Sequence, residues 1–208
     1  MAAIDLNSDF GEPPGCGRCG DDESLLDLVT SASIACSFHA RESGTLRRLC
    51  HAAAGRGVSI GALVSSPDRL GVGQQLVDLD PQALRDAVLY QLGALDGFAQ
   101  VAGTGVQYVK PHGALYDACI SRREQAEAVV RAAHEYDPSM AVLGAPGSHL
   151  LAVADELGME PVSEARADRR YHPDGRPVPL TEAGDPISDP SEVAARAVSL
   201  ATAHVVTS

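Results

Sequence analysis

Polar side chains alternate along residues 5–12, the first segment of the chain that could carry out chemistry. Asp5, Asn7 and Asp9 occupy every second position, and a further carboxylate follows at position 12. Because successive side chains of a strand point to opposite faces, the alternating residues should share one face. Burying three polar groups costs free energy unless they bind something, so we predict that Asp9 and Glu12 act as acid and base or hold a metal. The alternative is a cluster of turn-capping side chains.

A lysine and a histidine two residues apart form the most specific local signal. Lys110 and His112 follow a short apolar run, with Pro111 between them and Gly113 directly after them. Proline and glycine favour a tight turn between a strand and a helix. Lysine can pair with a carboxylate or a phosphate, and histidine can transfer a proton near neutral pH. We predict that both residues are functional; the alternative is a capped loop with surface charges.

Two further segments follow predicted strands. His39 lies three residues after Cys36, where a histidine can act as a base or a metal ligand, although a lone histidine is more often a hydrogen-bonded structural residue. Residues 164–171 include Asp168 and Arg169. An arginine at this position could grip a substrate carboxylate through two parallel hydrogen bonds. An exposed loop with salt bridges explains this segment equally well.

Short apolar runs alternate with longer amphipathic segments, and this alternation positions the candidate residues. We predict strands at residues 3–7, 33–36, 58–62, 107–109, 140–143 and 160–163. We predict helices at residues 21–30, 43–54, 121–136, 148–157 and 190–203, and one that begins after Asp80. The alternation favours an α/β protein with parallel strands, in which active-site residues lie at the carboxyl ends of strands. A single domain over residues 1–208 with six such units suits a barrel better than an open sheet. Residues 165–190 should form a long loop near the site.

Charge and composition exclude several classes of partner. The formal net charge is −12, and basic residues occur as pairs such as Arg47 and Arg48 rather than as a patch, so we expect neither nucleic acid nor an anionic membrane as a partner. No run of about 20 apolar residues could span a bilayer, and the amino-terminal residues lack the pattern of a signal segment. We therefore expect a cytoplasmic protein whose five cysteines are reduced thiols.

These clusters, taken in order, resemble the LamB/YcsF family. The resemblance covers nearly the whole chain and is carried by residues 5–12, 31–40, 89–95, 109–116 and 167–171. It implies a (β/α) barrel similar to those of the glycoside hydrolase and deacetylase superfamily. Because members of the family continue through another strand and a closing helix, we expect the barrel to lack its last β/α unit.

The resemblance also implies an activity. It implies a hydrolase that uses ATP to open the lactam ring of 5-oxoproline and yields L-glutamate. The barrel would be one component of this enzyme and would work with separate B and C subunits. Opening a lactam requires a general base, a general acid and donors for the developing oxyanion.

Candidate roles follow from the motifs that match the family. The candidates for catalysis carry carboxylate, imidazole or ammonium groups: Asp9, Glu12, His39, Lys110 and His112. Among them, Lys110 and His112 would stabilise an oxyanion or a phosphate. The candidates for substrate binding are further polar residues of the same motifs: Asn7, Tyr116, Asp168 and Arg169. Arg169 would hold the substrate carboxylate.

Departures from the family leave two other functions open. Positions where the family commonly has a histidine or glutamine, a tyrosine and two arginines hold other residues here: Leu63, Ser66, Gln74 and Gln75. They favour a catalytically weak barrel that serves as a binding or assembly partner. A metal-dependent deacetylase or amidohydrolase acting on another small amide is the third hypothesis, and it predicts a divalent ion held by Asp9, His39 or His112. A homo-oligomer could cover the open seam of an incomplete barrel.

Overall fold

The computed structural model describes residues 4–12, 22–36, 43–68, 73–172, 178 and 186–203. The chain divides into two compact units. The larger unit comprises residues 5–162, and the smaller one comprises residues 163–208 together with residues 1–4. Within the described part of the chain, no helix is both long and apolar enough to cross a bilayer.

Six strands form one sheet in chain order. They are β1 (Asn7–Phe10), β2 (Ser31–Ala35), β3 (Ser59–Val64), β4 (Val106–Pro111), β5 (Ala141–Gly144) and β6 (Glu160–Ser163). The pairings from β1 to β5 are parallel. This order confirms the predicted α/β class and is that of a (β/α) barrel, whereas an open nucleotide-binding sheet reverses its order at a switch point. Within the described residues the sheet does not close, since β1 and β6 are its edges.

Seven helices occur in the described residues. They are α1 (Asp22–Leu25), α2 (Ser43–Arg56), α3 (Pro81–Val101), α4 (Gly113–Ser121), α5 (Arg123–Tyr136), α6 (His149–Glu156) and α7 (Pro190–Ala203). Asp80 caps α3 as predicted, because its carboxylate accepts the N–H groups of Gln82 and Ala83 at 3.0 Å. Helix α4 was not predicted, since its Pro-His-Gly start indicated only a turn. Helix α1 is shorter than expected and ends at Leu25.

The first strand also differs from its prediction at residues 3–7. It begins only at Asn7, because its partner β2 begins at Ser31 and the register pairs these two residues. Just before the ladder, the carbonyl of Leu6 accepts the N–H of Thr30 at 2.9 Å. Asn7 and Asp9 therefore lie within the strand, and Asp5 precedes it.

The two faces of the sheet have different compositions. Alternate strand residues pack against the helices and form the hydrophobic core: Phe10, Ala32, Ile34, Ile60, Ala62, Val64, Val109 and Val142. The residues between them point to the opposite, inner face. Many of those are polar or small: Asn7, Asp9, Ser31, Ser33, Gly61, Tyr108 and Lys110. The fold thus collects polar side chains on one surface.

The sheet curls around this inner face. Strands β1 and β4 are three strand spacings apart, or about 14 Å in a flat sheet. Even so, Asn7 Nδ2 and Tyr108 Oη lie 2.7 Å apart. Gly61 makes room for the tyrosine, because a Cβ added there would lie 2.0 Å from Tyr108 Cε2. Small residues in the middle strands therefore let side chains from outer strands meet.

The smaller unit contains α7 and the described parts of the predicted long loop. Asp189 caps α7 as predicted, since Oδ1 accepts the N–H groups of Ser191 and Glu192 at 2.8 and 2.9 Å. Residues 164–172 contain turns and one isolated bridge residue, Tyr171, as a loop should. That this loop lies near the site stays a prediction.

Candidate active site

A lysine and an aspartate form a buried ion pair on the inner face of the sheet. Lys110 Nζ lies 3.1 Å from Asp9 Oδ1, and the two side chains are only 6% and 9% exposed. Asp9 in β1 pairs in register with Ser33 of β2, and Lys110 in β4 pairs with Leu63 of β3. Because little water screens opposite charges this close together, each strongly favours the charged form of the other. The pair places a positive charge with its counter-ion near the carboxyl ends of the strands.

A histidine and a glutamate form a second pair. Glu12 follows Asp9 by three residues, and His112 follows Lys110 by two. His112 Nε2 lies 3.1 Å from Glu12 Oε1. Gln74 Nε2 lies 3.3 Å from the same imidazole nitrogen. In a neutral imidazole this nitrogen carries either a proton, which it donates to the carboxylate, or a lone pair, which accepts from the amide. The imidazole is therefore placed to exchange a proton with the carboxylate.

The turn after β4 aims the imidazole inward. The N–H of His112 donates to the carbonyl of Val64 at 2.8 Å, which extends the ladder with β3 by one residue. Gly113 then begins α4 with φ of +55°. A Cβ at this position would lie 2.4 Å from the carbonyl oxygen of Gly73, so only glycine fits here without a shift of the backbone. The glycine after the histidine is therefore a steric requirement of the site.

Four hydrogen bonds surround the side-chain amide of Asn7. Its Nδ2 donates to Ser31 Oγ at 2.6 Å and to Tyr108 Oη at 2.7 Å. Its Oδ1 accepts from Ser33 Oγ at 3.0 Å and, over a longer distance of 3.5 Å, from Lys110 Nζ. A primary amide offers two donor protons and two acceptor lone pairs. The protein therefore fills every hydrogen-bonding position of this amide.

The carboxylate of Asp5 fixes the direction of these bonds. Ser31 donates its single hydroxyl proton to Asp5 Oδ2 at 2.6 Å, because a carboxylate can only accept. The Ser31 oxygen must then accept from Asn7, so the amide nitrogen faces the serine and the amide oxygen faces the lysine. The hydrogen bonds thus have a single donor-to-acceptor direction throughout, from the ammonium group of Lys110 through Asn7 and Ser31 to Asp5.

Tyr108 completes the network as a proton donor. Burial raises the pKa of its phenol, an effect that hydrogen bonds from neighbouring side chains partly offset. The hydroxyl therefore keeps its proton at neutral pH. Since Ser33 donates to the amide of Asn7, the tyrosine donates in turn to Ser33 Oγ, 3.1 Å away. The three side chains close a ring of hydrogen bonds.

A buried glutamine holds the segment that follows β3. Gln91 Oε1 accepts the N–H of Ser65 at 3.0 Å, and its Nε2 donates to the carbonyl of the same residue at 2.9 Å. Further on, Asp68 Oδ2 accepts the N–H of Gln75 at 3.0 Å. These contacts position Gln74 beside the imidazole of the second pair.

The larger unit brings together five of the residues predicted for the site: Asn7, Asp9, Glu12, Lys110 and His112. Tyr116 lies in the first turns of α4 and is buried, and its role in substrate binding stays a prediction. His39 lies outside the described residues, so its predicted role as acid, base or metal ligand also stays a prediction.

The remaining predicted residues lie in the smaller unit. Arg169 is buried, and its guanidinium donates to the carbonyl of Val178. Its own carbonyl accepts from Arg196 Nη2 at 2.9 Å. Asp168 lies 3.8 Å from Arg166, and its carbonyl accepts the N–H of Ile187 at 2.8 Å. Arg169 thus makes hydrogen bonds to Val178 and Arg196 within its own unit, and its grip on a substrate carboxylate stays a prediction.

The described residues offer little to a metal ion. Among them, no three histidine, cysteine, aspartate or glutamate side chains are grouped as a metal site needs. The carboxylate of Asp9 is already neutralised by Lys110, which disfavours a second cation there. A metal site that includes His39 stays a prediction.

The cysteines in the described residues are structural. Cys36, Cys50 and Cys119 are buried free thiols, which confirms the expectation of reduced thiols for these three. Burial raises the pKa of all three, that of Cys50 to about 11. At neutral pH they therefore remain protonated and are poor nucleophiles.

Comparison with known proteins explains the order of the motifs. The model of the LamB/YcsF family matches residues 4–208. The chain belongs to the LamB/YcsF family. This membership confirms the resemblance inferred from the sequence.

Relatives in the LamB/YcsF family match nearly the whole chain. The 5-oxoprolinase A subunit of Mycolicibacterium gilvum (strain PYR-GCK) is 49% identical over 200 residues, which cover 96% of this chain and 79% of the relative. That of Cutibacterium acnes is 48% identical over 211 residues, which cover 100% of this chain and 82% of the relative. The crystal structure of a lactam utilization protein from Thermus thermophilus matches with a TM-score of 0.87 and 36% identity, over 95% of this chain and 80% of the other.

Sequence reasoning missed several residues of this candidate site. It assigned no role to Ser31, Ser33, Gly61 or Tyr108. Two signals could have found some of them. Ser31 and Ser33 alternate with apolar residues, as the polar residues of β1 do. Asn7 is also the only asparagine of the chain, and Lys110 is its only lysine, which marks the two side chains that the missed residues surround.

Proposed function

We propose that this chain is the A subunit of an ATP-dependent 5-oxoprolinase, which hydrolyses the lactam of 5-oxo-L-proline to L-glutamate together with B and C subunits. Support comes from the relatives named as A subunits of 5-oxoprolinase and from the similar lactam utilization protein. The proposal rests on one observation: two pairs of side chains, each a carboxylate with a lysine or a histidine, span the inner face of the sheet. Asp9–Lys110 and Glu12–His112 both join β1 and its following residues to β4 and its following residues.

The reaction requires both proton transfer and charge stabilisation. Water adds to the lactam carbonyl, a C–O bond forms and the ring C–N bond breaks. The attacking water loses a proton and the leaving nitrogen gains one, so a base and an acid must be within reach. An amide carbonyl is a poor electrophile, and transfer of a phosphoryl group from ATP to its oxygen would activate it while ATP becomes ADP. Ring opening of the phosphorylated lactam by water then leaves an acyl phosphate, which a second water hydrolyses to L-glutamate and inorganic phosphate. Negative charge that develops on the oxygen needs a positive partner.

The Glu12–His112 pair is suited to the proton transfers. A carboxylate within hydrogen-bonding distance of an imidazole keeps the ring in one orientation. In the proposal, His112 removes a proton from water or returns one to the ring nitrogen, and Glu12 orients it. His39 is the further candidate for acid–base work, on the basis of its position in the sequence alone.

The Asp9–Lys110 pair is suited to charge stabilisation. In the proposal, the ammonium of Lys110 faces the oxyanion or the transferred phosphate, and Asp9 keeps the lysine charged. Arg169 is proposed to hold the substrate carboxylate, since an arginine fork matches a carboxylate in shape. Tyr116 and Asp168 remain proposed contacts of the substrate.

ATP enters this proposal as a co-substrate of the complex with B and C subunits. A cytoplasmic location is proposed with it, because ATP is supplied there. No step is assigned to a metal ion, because the carboxylate of Asp9 already faces a cation.

The test is release of glutamate from 5-oxoproline by this chain mixed with B and C subunits, with and without ATP. The A subunit from Mycolicibacterium gilvum serves as a positive control. We expect ATP-dependent turnover that Lys110→Met and His112→Ala abolish. No turnover by a folded chain, with the control active, would refute the proposal and favour the catalytically weak barrel or a different amide substrate.

A further inference from the structure

We propose that Asn7 is a positioning residue that orients Lys110, and that Tyr108 acts on the site through Asn7. The sequence predicted that Asn7 binds the substrate. The kinetic part of this inference rests on the proposed function, whereas its structural part does not. The residues involved form the ring of hydrogen bonds beside the Asp9–Lys110 pair.

The partners of the Asn7 amide use up its hydrogen-bonding capacity. Its two donor protons go to Ser31 and Tyr108, and its oxygen accepts from Ser33 and faces Lys110. A substrate could bind this amide only by displacing one of these partners. Each displaced partner is buried or half-buried, and leaving it without a hydrogen bond is unfavourable. The amide is therefore built to serve the protein rather than a ligand.

The orientation of the amide matters because its two ends have opposite polarity. Rotation by half a turn would present the NH2 group to the ammonium of Lys110 and repel it. It would also place the amide oxygen opposite Ser31, whose proton is already donated to Asp5. The observed orientation is thus the only one in which every group finds a complementary partner.

Tyr108 holds the amide in this orientation from the other side. Its hydroxyl accepts the second Nδ2 proton of Asn7 and donates to Ser33. The phenol reaches this place only because Gly61 leaves room for the ring. Tyr108 lies two residues before Lys110 on the same strand, so both side chains are on the same face. The tyrosine therefore orients the amide that faces the lysine.

The composition of the chain makes the side-chain amide of Asn7 directly observable by NMR. Asn7 is the only asparagine in the sequence, so labelling with ¹⁵N-asparagine gives a single side-chain NH2 group in the NMR spectrum of the full chain. In the wild-type protein we expect two distinct proton signals that exchange slowly with water. In Tyr108→Phe, which keeps the ring but removes the oxygen, we expect exchange at least about 10-fold faster because one proton has lost its acceptor.

Tyr136→Phe is the matched control for this measurement. Its hydroxyl, like that of Tyr108, makes a side-chain hydrogen bond, in this case to Asp96 Oδ2 at 2.6 Å, but it lies outside the ring of Asn7. We expect this variant to leave the amide signals unchanged. Ser33→Ala removes a different member of the ring and should alter the signals as Tyr108→Phe does. Unchanged amide exchange in both Tyr108→Phe and Ser33→Ala would overturn the proposal.

Steady-state kinetics with the B and C subunits give the second test. If Asn7 positions Lys110, Asn7→Ala should lower kcat about 10-fold or more with KM within about twofold. Tyr108→Phe should lower kcat as well, but should add nothing in the Asn7→Ala background, because the tyrosine acts through the amide. A raised KM with unchanged kcat in Asn7→Ala would overturn the proposal in favour of substrate binding. An inactive wild-type chain would refute the proposed function, and the amide exchange would still decide the structural part of this inference.

Discussion

Lys110 Nζ lies 3.1 Å from Asp9 Oδ1 although two strands, β2 and β3, separate the strands that carry them. The contact is possible because the sheet curls and because the middle strands present Ser33 and Gly61 to the inner face. A side chain at position 61 would clash with the ring of Tyr108. The small residues are therefore as much a part of the site as the charged ones.

Loss of one partner from this buried pair should destabilise the protein strongly. In Lys110→Met, Asp9 remains buried without its counter-ion, and we expect the free energy of unfolding to fall by about 3–5 kcal/mol. Unfolding in urea measures this change. The exposed pair of Arg123 and Glu156, at 2.5 Å, supplies the control, since Arg123→Met should change stability by less than about 1 kcal/mol.

A double variant separates the charge effect from lost packing. Asp9→Leu in the Lys110→Met background removes the unpaired carboxylate, so most of the lost stability should return. If the double variant is as unstable as Lys110→Met, the destabilisation comes from packing rather than from the isolated charge.

Replacement of Gly61 should disturb the site through Tyr108. A Cβ at position 61 would lie 2.0 Å from Tyr108 Cε2, so in Gly61→Ala the ring must move, and we expect a loss of about 1–3 kcal/mol of stability. Gly93 in α3 has no atom within 4 Å of an added Cβ, and Gly93→Ala should stabilise the helix by up to about 1 kcal/mol. Thermal unfolding of both variants checks this, and equal shifts would contradict the assigned clash.

The Glu12–His112 pair predicts a specific loss of turnover. Glu12→Gln keeps the size of the side chain but removes the charge that supports the imidazole, and we expect kcat to fall about 100-fold. Asp27→Asn is the control, because this exposed carboxylate pairs with Arg56 at 2.6 Å away from the site. Turnover of Glu12→Gln within a few-fold of the wild type would remove Glu12 from the catalytic residues.

The buried thiols predict a decline of stability at alkaline pH. The pKa of Cys50 is raised from 9.0 to about 11, with burial as the largest cause, so between these values the folded state binds more protons than the unfolded state. Stability therefore falls as pH rises above about 9, by up to about 1.4 kcal/mol per pH unit for each such thiol. Urea unfolding at pH 8, 9 and 10 should show a smaller slope for Cys50→Ala than for the wild type. Identical slopes would contradict this assignment.

Much of the fold could be predicted because its signals are local. The alternation of apolar runs with amphipathic segments indicated the α/β class, and Asp80 and Asp189 marked the starts of α3 and α7. The start of β1 could not be predicted, because it depends on where β2 begins to pair. Helix α4 was missed because the Pro-His-Gly sequence at its start indicated only a turn.

The site could be predicted only in part. Carboxylates, lysine and histidine at strand ends indicated residues that the structure brings together, but their pairing depends on the curl of the sheet. Asp9 and Lys110 are 101 residues apart in the sequence, and no local pattern says which carboxylate meets which base. The role of Tyr108 was hidden as well, because it depends on the space left by Gly61.

The presence of a single lysine has a practical consequence. Reagents that acylate or alkylate lysine side chains can modify this protein at one lysine only, and that side chain is buried beside Asp9. The extent of such labelling therefore reports directly how often the inner face opens to solvent. A ligand that covers Lys110 would protect it, so mass spectrometry of the labelled chain becomes an assay for occupancy that needs no turnover.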